Sequence, residues 1–239
     1  MTTKPPLEQF AAQVARALGD RLVALLLYGS WARGTHVPER SDVNTLLICD
    51  TVDHGLFEAL APAMRDWTRA GQPAPLIFTE QEWRTSADAF PIEYADMRDA
   101  SRLLAGRDPW PGIEVNREHL RRQLEHELMG KLVRLRQAYA ALAGNPKQLA
   151  RAVVGSAGGF FTMLRAVLRF AGRPAPAPPA ELVRSAAALI GFSGDALAPL
   201  VHHATGGPVP RLEGGPSDPL AAAYLAAVAR TAEYVNQTR

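Results

Sequence analysis

Apolar positions change their spacing several times along the first hundred residues. Leu7, Phe10, Ala11, Val14 and Leu18 recur at three- and four-residue steps and stop at Gly19, which predicts a helix over 7–19. Between Arg21 and Gly29 the chain reads Leu-Val-Ala-Leu-Leu-Leu-Tyr, a short continuous run that predicts a buried strand. A second such run covers 43–49. Helical spacing returns at Leu56, Phe57, Leu60, Met64 and Trp67, predicting a helix over 54–69 closed by Gly71-Gln72-Pro73. The pattern then gives a short strand over 75–78, a helical turn over 80–86 and a fourth strand over 91–97. Strands interleaved with helices predict an α/β sandwich with a mixed sheet.

The pattern changes near Pro109-Trp110-Pro111-Gly112, and no convincing strand follows. Leu120, Leu124, Leu128, Leu132 and Leu135 form a core stripe on a long helix over 114–142. Asn145-Pro146 starts another, with proline well placed in the first turn, running to about Phe170. Its Gly155 and Gly158-Gly159 suggest a close neighbour. A stiff proline connector over 174–179, two shorter helices and a final helix from Asp218 to about Gln237 complete an all-helical half. The expected domains are 1–112 and 113–239.

Composition narrows the class of protein. Of 239 residues, 47% are apolar and 21% charged, as in an ordinary globular chain. Twenty-six basic and 24 acidic residues leave a net charge of +2, so no general attraction to nucleic acid is implied. The one cysteine, Cys49, lies in an apolar run and reads as a buried, inert thiol. The N-terminus has no signal-peptide pattern, and no uninterrupted apolar run approaches the roughly 18 residues needed to cross a membrane. The expectation is a cytoplasmic protein without membrane or nucleic-acid partners.

The chemistry is concentrated in Gly29-Ser30-Trp31-Ala32-Arg33-Gly34 and, after a short loop, Ser41-Asp42-Val43-Asn44. A glycine after a strand permits a sharp turn. Ser30 and the next backbone amides can then donate to phosphate oxygens, with Arg33 as fixed positive charge nearby. Residues i and i+2 of a strand share a face, so Asp42 and Asn44 present their side chains together. Residues 28–48 resemble the Gly-Ser-x-Ala-Arg-Gly…Ser-Asp-x-Asp motif of the polymerase-β-type nucleotidyltransferase superfamily, which includes aminoglycoside-modifying and minimal nucleotidyltransferases. The resemblance covers the first hundred or so residues.

It implies a nucleotidyltransferase-type α/β (α+β) fold of mixed sheet and flanking helices, followed by a helical bundle. It also implies transfer of a nucleoside monophosphate from a nucleoside triphosphate, ATP foremost, to a hydroxyl of a small-molecule or protein acceptor, with Mg²⁺. Gly29 and Ser30 would bind the β- and γ-phosphates, supported by Arg33 and Ser41. Asp42 would be a metal ligand. In Ile92-Glu93-Tyr94-Ala95-Asp96-Met97, Glu93 would be the third ligand or the base. Asp96, three residues on, would face the other side of the expected strand.

Asn44 stands where the motif has its second aspartate. An amide oxygen can coordinate Mg²⁺ but brings no negative charge, so one of two metals would be held weakly. Three outcomes stay open: an altered site that works, nucleotide binding without turnover, or retention of the fold alone. Asp50 and Asp53 offer no replacement, lying beyond the strand's far end, roughly 20 Å away at about 3.3 Å per residue. Trp31 reads either as a base-stacking residue or as packing under the loop. His36 and Arg40 read as solvated. In the helical half, the Arg121…His126 spacing seen in some ribonuclease motifs arises readily on a charged helix. His202-His203 lacks further ligands at zinc spacing. Whether the chain pairs as a homodimer is left open.

Overall fold

The computed structural model describes residues 7–38 and 40–238. The chain forms two compact units, divided between Val115 and Asn116. The first holds helix α1 (Leu7–Leu18), strand β1 (Leu22–Tyr28), the single turn α2 (Ser30–Arg33), β2 (Asn44–Cys49), α3 (His54–Arg69), β3 (Leu76–Thr79), α4 (Glu80–Thr85), α5 (Pro91–Asp99) and β4 (Ser101–Gly106). Its sheet has the order β3-β2-β1-β4. Here β1 is antiparallel to both β2 and β4, and β2 is parallel to β3.

The two central strands are buried because each face of the sheet is covered. Leu25, Leu27 and Leu47 pack with Phe10, Val14, Leu56 and Trp67 of α1 and α3. Ala24, Leu26, Leu46 and Ile48 pack on the other face with Trp83, Tyr94 and Met97 of α4 and α5. Continuous apolar runs, rather than alternating ones, follow from this two-sided burial. The covering helices are fixed by aromatic contacts that also satisfy their polar atoms. Phe10 stacks on Trp67, whose indole N–H donates to the Pro73 carbonyl at 2.8 Å. Trp83 stacks on Tyr94, and their N–H and O–H reach the carbonyls of Pro109 and Trp83 at 2.9 and 2.7 Å.

One expected element is overturned. Residues 91–97 form the helix α5, and the remaining strand is β4, directly after it. Ile92, Tyr94 and Asp96 alternate with Glu93 and Ala95, which imitates a strand. Pro91 decides otherwise: it sits at the first helical position, where its fixed φ is favourable and its missing N–H is no loss. Pro91, Tyr94 and Met97 then fall on one buried stripe at three-residue steps. Strand β4 is an edge strand with Leu103 exposed, so pairing with β1 forms it rather than any strong apolar pattern.

The second unit comprises α6 (Arg117–Ala141), α7 (Pro146–Phe170), α8 (Pro179–Ile190), α9 (Ala198–Ala204) and α10 (Pro219–Gln237). Helices α6, α7 and α10 pack on one another through polar ties as well as apolar ones. The Tyr139 hydroxyl donates to the Ala221 carbonyl and Ser156 bonds Tyr224, both at 2.7 Å. Lys131 is buried, with its ammonium donating to the Ser156 carbonyl at 2.8 Å. The close neighbour expected along α7 is this lysine, met at Gly159; Gly155 and Gly158 face open space. Helix α7 is long and apolar enough to cross a membrane, but most of it is buried in the bundle.

Strand β4 ends at Gly106, which has φ +85°, and a Cβ there would lie 2.3 Å from the Val23 carbonyl oxygen. Gly106→Ala is expected to destabilise the protein by about 3 kcal/mol through backbone strain and overpacking, read by urea denaturation. A loss below about 1 kcal/mol would show that the β1–β4 edge yields freely.

Candidate functional site

The site lies where β1 ends and β2 begins. Tyr28 is paired with Asn44 on one side and with Ser101 on the other, so these three form a row across β2, β1 and β4. Opposed residues share a face, and for Tyr28 that face is the one covered by α4 and α5. Gly29 then turns the chain with φ +79° and ψ −147°, a conformation open to glycine. A Cβ on Gly29 would lie 3.3 Å from the Asn44 amide nitrogen, so this glycine also makes room for the Asn44 side chain. Asp42 is exposed, two residues before the strand begins.

The loop between α2 and β2 is tied down by its own residues. The Trp31 indole N–H donates to the Ser41 carbonyl at 3.2 Å, and Ser41 Oγ accepts from the Val37 N–H at 2.9 Å. Trp31 is also stacked on His36 at 3.7 Å, with His36 Nδ1 buried and without a hydrogen-bond partner among the described residues. Hence Trp31 packs within the loop, and His36 is part of that packing rather than solvated. Gln72, read from sequence only as part of a turn, is buried and accepts from the Val43 N–H at 2.9 Å, anchoring the approach to β2.

Arg33 has a different partner from the phosphate it was expected to support. Its guanidinium bonds both carboxylate oxygens of Asp96, at 3.2 and 2.5 Å, with about a tenth of each side chain exposed. A planar guanidinium and a carboxylate suit this two-pronged contact. It joins α2 to α5. Glu93 precedes Asp96 by one helical turn and is exposed on the helix, so the expectation that these two acids occupy opposite faces of a strand is corrected. The Tyr28 phenol is pushed above its ordinary pKa, chiefly by burial and secondarily by the negative charge of Glu93. Glu93 thus comes within electrostatic reach of the Tyr28–Asn44 row from a helix. Tyr28 carries no motif of its own in the sequence; its place as a polar residue ending an apolar strand is the signal it gives.

The row across β2, β1 and β4 itself offers a pair of Mg²⁺ ions no carboxylate. The strand position beside Tyr28 on β4 is Ser101, and Asp96 is held by Arg33. Among the described residues no group of three or more His, Cys, Asp or Glu side chains is assembled for a metal. Asp42 and the Asn44 amide oxygen suit at most one Mg²⁺ whose other ligands are water and nucleotide phosphate.

Elsewhere, Asp53 caps α3 through the Leu56 N–H and pairs with Arg21, far from this end of β2. Arg121 is held by Glu118 and Glu125 on its own helix. Burial raises the Cys49 thiol to about 11, keeping it protonated and inert.

No protein-family model matches the chain, and no curated protein matches it. Among solved structures it is similar to spectinomycin adenyltransferase AAD(9) from Enterococcus faecialis, solved with ATP and spectinomycin. The TM-score is 0.59 at 11% identity, over 93% of this chain and 97% of that one. With the mixed four-stranded sheet, its flanking helices and the helical second unit, this establishes a nucleotidyltransferase-like fold.

Two measurements check the geometry. Asp96→Asn leaves a nearly buried guanidinium without its counter-charge and should destabilise by about 3 kcal/mol, whereas the double replacement Arg33→Met/Asp96→Leu should lose markedly less. Glu93→Gln removes a negative charge near Tyr28 and should lower the pH at which that phenol ionises, read by alkaline ultraviolet titration against Tyr28→Phe. An unchanged titration would mean that Glu93 does not face the row.

Proposed function

We propose that this protein binds a nucleoside triphosphate, ATP in the first instance, at the Gly29–Ser30 turn, and does so without appreciable turnover. The fold supports a nucleotide, and the backbone amides after Gly29 supply neutral donors for phosphate oxygens. Asp42 and the Asn44 oxygen would hold a nucleotide-bound Mg²⁺. The observation that carries the reading is the Asn44–Tyr28–Ser101 row, whose three side chains include no carboxylate.

One observation favours a second reading, transfer of a nucleoside monophosphate to a small-molecule or protein hydroxyl. The charge of Glu93 is felt at Tyr28, beside Asn44. A carboxylate so placed would accept the acceptor's proton as its oxygen bonds the α-phosphorus and pyrophosphate leaves. The similarity to an adenyltransferase solved with ATP and spectinomycin supports a small-molecule acceptor over a protein one.

Thermal shift with ATP, GTP, CTP and UTP, each with and without Mg²⁺, tests both readings. Nucleotide at about 100 times Kd should add about 2.7 kcal/mol of apparent stability, and the gain should require Mg²⁺. No shift with any nucleotide overturns both. Asn44→Asp should tighten the metal and raise pyrophosphate release in the presence of an acceptor by at least about tenfold. Acceptor-dependent pyrophosphate release by the wild type, well above background and equal to that of the variant, would replace the first reading with the second.

A further inference from the structure

The second unit contains a cavity of about 450 Å³ between the start of α7 and the 209–213 segment that leads towards α10. That volume falls in the range of small-molecule sites, roughly 300–1,000 Å³. Its walls are of two kinds. Ala150, Leu212 and the exposed Val209 give it an apolar side. Lys147, Arg151 and Arg211 bring three positive charges to it, against the one negative charge of Glu213. None of the three cationic side chains makes an ion pair or hydrogen bond among the described residues.

The three cationic side chains are solvent-exposed, and the only acid lining the cavity with them is Glu213. Lys147 and Arg151 are four residues apart on α7, so their like charges lie on adjacent turns of one face. Lys147 is in the first turn, where the helix dipole already presents partial positive charge. No acidic residue occurs anywhere in α7 to offset them, and Asn145 rather than an aspartate caps it. Arg211, from a distant part of the sequence, adds to the same concentration. A site that gathers uncompensated cations beside an apolar wall is complementary to a molecule with an anionic head and an apolar body.

We propose that this cavity binds a small amphiphilic anion, its carboxylate or phosphate held by Lys147, Arg151 and Arg211 and its apolar part against Ala150, Val209 and Leu212. The site is independent of the nucleotide reading, since every residue named belongs to the second unit. Octyl phosphate, octanoate, inorganic phosphate and octyl β-glucoside, each below any micelle concentration, serve as probes in isothermal titration calorimetry on the full chain.

At least one of the two octyl anions should bind about tenfold or more tightly than both inorganic phosphate and the neutral glucoside, and which one it is tells phosphate from carboxylate. Lys147→Glu/Arg151→Glu should abolish that binding while melting near the wild-type temperature, because acidic side chains at the start of α7 suit the helix dipole and face Arg211, and should keep the Mg²⁺–nucleotide shift. The milder Arg151→Gln should weaken binding by a smaller factor. Glucoside binding as tight as the octyl anions would overturn the role of charge. Inorganic phosphate binding equally well would overturn the apolar wall. Undiminished octyl-anion binding in the double variant would overturn the site.

Discussion

The Arg33–Asp96 ion pair is the contact on which the candidate site depends. It closes a connection between the turn that follows β1 and the helix that covers the same end of the sheet. Because the two groups are largely withdrawn from water, their attraction is poorly screened, but so is the penalty for separating them. The pair therefore acts as a specific fastening. Together with the Trp83–Tyr94 stack it holds α5 in one rotation, and with it the direction in which Glu93 is presented. It also engages one cation and one anion, so the Gly29–Ser30 turn offers a ligand backbone donors more than side-chain charge.

This distribution of charge gives the site its character. Asp42 is exposed to solvent, Asn44 is neutral and lies against Gly29, and Tyr28 is kept protonated by burial and by Glu93. Donor oxygens are present in fair number, but concentrated negative charge is not. A single Mg²⁺ already bound by a triphosphate brings most of its own coordination and suits such a place. Two bare ions held close together do not.

How far the chain disclosed this depends on the range of the forces involved. Strands β1 and β2, the turn at Gly29 and the long helices α6 and α7 were legible because continuous apolar runs, glycine placement and three- to four-residue periodicity are local signals. The 91–97 segment misled because alternating polarity outweighed the proline at its head, and with it went the geometry assigned to Glu93 and Asp96. Strand β4 carries little apolar pattern and exists through its pairing to β1. The partner of Arg33 lies 63 residues away, and nothing near either residue announces it. The stacking of Trp31 on His36 spans five residues yet depends on the loop's fold, which spacing alone does not convey.

The join between α5 and β4 is a single residue, Ala100, buried and with its N–H bonded back to the Asp96 and Met97 carbonyls. Such a short splice leaves no slack. Helix α5 cannot swing like a flap without dragging β4 from the side of β1, to which it is paired from Ser101 to Gly106. Any ligand at this end of the sheet would meet a surface already set, and the speed of its entry and exit would follow from diffusion and fit rather than from the opening of a door.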